Sequence, residues 1–109
     1  MQHLMLAGDR PPKGTLTVIS PYDGRQLGVL PTAGADHVDD ALDAAYSLFR
    51  QRDVWLSTPE RISILEKVAA IMSGEIEALT ILAASEGGKP YTDSKVEVIR
   101  AINGIQLCI

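Results

Sequence analysis

The chain has 109 residues, enough for one small domain or part of a larger one, and 46% of them are hydrophobic against 22% charged. That balance excludes a disordered polyelectrolyte, and no apolar run is long enough to span a bilayer, so no membrane partner is expected. Ten basic and fourteen acidic residues leave a net charge of −4, with the basic residues scattered, so no nucleic-acid partner is expected either.

Cys108 is the only cysteine, which rules out an intrachain disulfide and agrees with a cytoplasmic location. Residues 1–14 lack a basic start followed by an apolar stretch, so they do not resemble a signal peptide. With Pro11, Pro12 and three charges between Gly8 and Gly14, they read as a flexible leader.

Near-alternation and β-branched residues predict a strand over 15–20, and Gln26 to Leu30 predicts a second strand stopped by Pro31. Between them Pro21 opens a turn and Asp23-Gly24 closes it, giving a β-hairpin. From Asp36 the period changes to that of a helix, with Val38, Ala41, Leu42, Ala45, Leu48 and Phe49 on one face. Asp53 to Leu56 breaks this pattern, and Trp55 is expected to plug the connection onto the core.

Ser57-Thr58-Pro59-Glu60 has the form of a capping box with proline in the first turn. The second helix carries Ile62, Leu65, Val68, Ala69 and Met72. Ser73-Gly74 interrupts it, and Glu75 opens a third helix that Gly87-Gly88 closes with a left-handed cap. A fourth helix follows Pro90, carries Val96, Val98, Ile99, Ile102 and Ile105, and is expected to reach the last residue. The expected fold class is therefore α/β: an N-terminal β-hairpin plus about four α-helices. Helix four has no capping glycine, following proline or polar tail, so residues 15–109 are expected to be an incomplete segment of a larger domain.

No side-chain constellation here predicts catalysis. Cys108 sits at the end of a helix, where the dipole disfavours a thiolate, so a structural cysteine is expected. His3 and His37 have no cysteine or serine partner at a recognisable spacing and read as solvated surface histidines. Gly87-Gly88-Lys89-Pro90 lacks the spacing and the Ser or Thr of a phosphate loop, and no Gly-x-Gly-x-x-Gly fingerprint occurs. Glu86 places a carboxylate at a helix C-terminus, where the dipole requires compensation by a salt bridge or by a bound cation.

Four segments in order resemble the aldehyde dehydrogenase superfamily. They are Ser20-Pro21-Tyr22-Asp23-Gly24 with Leu27-Gly28, the helix Val38 to Ala45, Trp55 with Pro59-Glu60-Arg61 and Leu65, and Glu86-Gly87-Gly88-Lys89-Pro90. Ser20 stands where that family usually has asparagine. The resemblance implies part of a nucleotide-binding domain, in a parent oxidoreductase that converts a small aldehyde to a carboxylate with NAD or NADP. It implies a homo-oligomer, and a thiohemiacetal formed on a cysteine outside this sequence, so no catalytic or cofactor-binding residue is assigned here. It also implies a structural sodium or potassium ion held by Glu86 and the carbonyl of Ile19 or Val18. The segment Asp93 to Ile102 resembles the branch acting on small hydroxy- or phosphorylated aldehydes, such as lactaldehyde or glyceraldehyde 3-phosphate. On the residues alone, Arg100 is expected to pair with Glu97 or Asp93. The competing expectation is a short, non-catalytic helical interaction module built on the same scaffold.

Overall fold

The computed structural model describes residues 4–6 and 10–109. The remaining parts of the expected leader, with His3, lie outside the described residues. Strand β1 (Gly14–Ile19) and strand β2 (Gln26–Thr32) are followed by helices α1 (Ala35–Arg50), α2 (Thr58–Gly74), α3 (Ile76–Gly87) and α4 (Tyr91–Gln106), with a single 3-10 turn at Arg52–Val54. The α/β arrangement expected from the sequence, a hairpin and four helices, is the one observed. The chain divides into two compact units. One comprises Met1–Ile19 and Gln26–Trp55, the other Ser20–Arg25 and Leu56–Ile109.

In the first unit β1 and β2 pair antiparallel, Leu16 opposite Leu30 and Val18 opposite Gly28, with an irregularity between Val18 and Ile19. Pro31 does not stop β2, which continues to Thr32 with Thr15 opposite the proline. In a two-stranded ladder every strand is an edge, where a residue without an N–H is tolerated. Helix α1 begins at Gly34, whose extended backbone offers no side chain to cap the helix. Its apolar stripe of Val38, Leu42, Tyr46 and Phe49 is exposed. Trp55 does not plug a core: it is 44% exposed and packs back on the end of α1. Its indole N–H donates to the Leu48 carbonyl at 2.9 Å, its ring lies 5.8 Å from that of Phe49, and the Arg52 guanidinium sits over both rings. The rings meet at the helix terminus, where the indole is a second donor to the Leu48 carbonyl, which also accepts the Gln51 N–H at 3.2 Å.

In the second unit the capping box forms as its residues dictate. Ser57 Oγ accepts the Glu60 N–H at 3.4 Å, while Glu60 Oε2 accepts the Ser57 N–H at 2.7 Å. The Ser57 hydroxyl, which donates to Glu60 Oε2 at 2.7 Å, and then the Ser57 N–H hold the Glu60 carboxyl below its ordinary range. Helices α2 and α3 meet at Glu75, where the axis bends by 76°. Among the described residues no single helix is long and apolar enough to cross a membrane. Helix α4 packs on both: Ala69, Val98 and Ile102 are buried, with Met72, Ile76, Leu79 and Ile105 packed around them.

The buried face of α4 is thus Ser94, Val98, Ile102 and Ile105, and the expected Val96 and Ile99 are exposed. The face is offset because two small polar residues, Thr80 on α3 and Ser94 on α4, are wholly buried. Thr80 Oγ1 donates to the Ile76 carbonyl at 2.7 Å, whereas Ser94 Oγ has no partner. Helix α4 ends at Gln106 rather than at the last residue.

Candidate functional site

Two of the resembling segments, the turn 20–24 and the corner 86–90 that follows α3, meet in the second unit. Gly88 adopts φ +63 and ψ 23, the left-handed conformation that glycine takes at least cost. A Cβ there would stand 2.8 Å from Pro21 Cγ, so the turn Ser20–Arg25 lies directly against it. The turn is self-supporting. The Gly24 N–H donates to the Ser20 carbonyl and the Ser20 N–H to the Arg25 carbonyl, both at 2.9 Å. Buried Ser20 accepts the Tyr22 N–H through Oγ at 3.3 Å, and Asp23 Oδ1 accepts the Arg25 N–H at 3.2 Å. The Ser20 hydroxyl, then the Arg25 N–H, hold the Asp23 carboxyl below its ordinary range.

Between turn and corner lies an open cleft of about 260 Å³, lined by Ser20, Asp23, Arg25, Ser85 and Lys89 among others. Its two cations are both engaged. Arg25 Nε lies 3.3 Å from Asp23, and Lys89 Nζ donates to Glu97 at 2.8 Å. The Glu97 carboxylate raises the Lys89 ammonium above its ordinary range. Each cation at the corner thus faces a carboxylate of its own unit.

The expected salt bridge of Glu86 is not seen: it makes no ion pair among the described residues, because Lys89 turns towards α4 instead. Arg100 pairs with neither Glu97 nor Asp93 among the described residues; Glu97 takes Lys89 instead. Glu86 is exposed near the end of α3 in the second unit, while Val18 and Ile19 belong to β1 in the first. No group of three His, Cys, Asp or Glu side chains able to hold a metal occurs among the described residues. Cys108 is exposed beyond the end of α4.

The polar cluster that the sequence expectations missed lies at the start of α1. His37, expected on the surface, is only 4% exposed. Its Nε2 lies 3.1 Å from the Pro11 carbonyl and its Nδ1 3.2 Å from the Gly34 N–H. Lys13 Nζ meets Asp36 Oδ2 at 2.8 Å, and Arg10 binds Asp40 through two nitrogens while reaching Asp36 at 3.5 Å. Residues 10–13 therefore lie along the first turn of α1. The Lys13 ammonium, with His37 adding to it, holds the Asp36 carboxyl down at about 2. Arg10 likewise lowers Asp40. The spacing Gly34-x-x-His37 carried a clue, since a side chain three residues into a helix can reach back to the cap N–H.

The sequence model of the aldehyde dehydrogenase family matches residues 9–109. The chain belongs to that family. A succinate semialdehyde dehydrogenase (NAD(P)+) of Escherichia coli K12 is 33% identical over 78% of the chain, an alignment covering 18% of that relative. A second Escherichia coli K12 protein, an NADP(+) succinate-semialdehyde dehydrogenase, is 33% identical over 84% of the chain and 19% of its own length. An N-succinylglutamate 5-semialdehyde dehydrogenase of Escherichia coli O9:H4 is 34% identical over 83% of the chain and 18% of its own length. The chain therefore spans about a fifth of the curated relatives it matches. No solved structure matches it significantly.

Proposed function

We propose that the chain is a non-catalytic N-terminal scaffold portion of an enzyme that oxidises an aldehyde to a carboxylate, with NAD or NADP and water as co-reactants. The observation carrying this reading is the family match across residues 9–109. The exposed apolar side chains support the scaffold role: Val38, Leu42, Tyr46 and Phe49 on α1, Ile64, Val68 and Ile71 on α2, and Ile81 and Leu82 on α3. Apolar surface of this extent is what a larger protein covers.

The described residues supply no step of that reaction. Their contribution is positional: the hairpin turn, the Gly88 corner and the α2–α4 packing form one packed unit. In the same reading Glu86 is a ligand for sodium or potassium in the parent, which supplies the compensation that its place at a helix end demands.

The test is to incubate the intact natural protein with a panel of aldehydes and NAD+ or NADP+. Equal amounts of carboxylate and reduced nicotinamide are expected from at least one aldehyde. An intact protein of this same length that folds as one species and oxidises none of them would favour the interaction module instead.

A further inference from the structure

The first turn of α1 contains a buried histidine whose ring nitrogens face incompatible demands. A carbonyl only accepts, so Nε2, 3.1 Å from the Pro11 carbonyl, carries a proton. An amide N–H only donates, so the Gly34 N–H at 3.2 Å requires a bare lone pair on Nδ1. That is the neutral ring. Yet Asp36 Oδ1 also stands 3.2 Å from Nδ1, and a carboxylate there requires a proton on the same nitrogen. Asp36 stays ionised throughout the range in which an imidazole titrates, since Lys13 holds it at about 2.

We propose that His37 is a proton-operated exchanger at the start of α1: neutral, it caps the Gly34 N–H, and protonated, it releases that cap and joins the ion cluster of the leader through Asp36. No residue has to move far, because both partners already lie within reach of one nitrogen. The Pro11 bond is kept in both states, so residues 10–13 stay attached while the helix end opens. The charged groups facing the ring among the described residues are Asp36 and Asp40 on α1, with Lys13 and Arg10 from the leader. Lys13 and Arg10 occupy Oδ2 of Asp36 and leave Oδ1 to the imidazole. Acid thus exchanges a helix-capping bond for an ion pair, with Nδ1 gaining one proton from solvent.

The experiment is nitrogen NMR of the histidine rings in the intact protein, titrated from about pH 8 to about pH 5 across the usual imidazole range. At the alkaline end Nδ1 of His37 should be unprotonated and Nε2 protonated. The Gly34 amide shift should follow the ring titration, and its exchange, corrected for intrinsic rate, should rise about three- to tenfold as the hydrogen bond is lost. His37→Gln should keep the cap, because glutamine accepts at this position without titrating, and should abolish the pH response. An Nδ1–H tautomer at alkaline pH, a Gly34 amide indifferent to the ring, or an unchanged response in His37→Gln would each overturn the proposal.

Discussion

The two compact units are held together in different ways. In the second, Ala69, Val98 and Ile102 are buried where α2, α3 and α4 meet, and four further apolar side chains surround them. The first has no buried hydrophobic residue among those described, and His37 is its one buried side chain. What orders it is a strand ladder and the cluster of Arg10, Lys13, Asp36, His37 and Asp40 around the start of α1. Apolar burial is non-directional and survives changes of pH, whereas a cluster of ions and one imidazole depends on protonation. One family scaffold thus contains a packed joint and a titratable one.

That contrast makes Ile102→Ala the most damaging simple truncation, costing the second unit about 3 kcal/mol through lost transfer energy and a cavity. Denaturation followed by helical circular dichroism would measure it. Gly88→Ala should cost about 2 kcal/mol, since the new side chain meets an unfavourable φ and the Pro21 ring together. The same melts report it, and a loss much below this would mean that the turn is not seated on the corner.

Acid should loosen the first unit through Asp36 and Asp40. The Asp36 carboxyl is lowered by folding, so its contribution is complete above the ordinary carboxylate value and is lost as pH falls from there towards about 2. Exchange of the Arg10 and Lys13 amides and of the first turn of α1 should therefore rise in that window. Leu42→Ala, on the exposed stripe of α1, should be the mildest change, within about 0.5 kcal/mol for residues 1–109 alone. A large loss there would show that this face is already packed.

Features built from neighbouring residues were legible in the sequence. The hairpin turn and the Ser57–Glu60 box are closed by bonds spanning a few residues, and the Gly88 cap by a left-handed glycine, so residue order suffices to predict them. Features decided by distant partners were not. His37 is buried because the chain at Pro11 folds over it, Lys89 chooses Glu97 on the next helix over Glu86, and the buried face of α4 turns on the close seat of Thr80 and Ser94. Periodicity identified the apolar residues of α4 but not which of them a modest core would cover, because that depends on the crossing of α2 and α3. The family resemblance, carried by the local motifs, was legible throughout.

The central claim, that these residues are scaffold and carry no chemistry of their own, is tested most directly by assaying purified residues 1–109 for aldehyde-dependent reduction of NAD+ and NADP+, beside the Cys108→Ser variant. The account predicts no turnover by either. Turnover by the purified chain that the Cys108→Ser variant abolishes would contradict it.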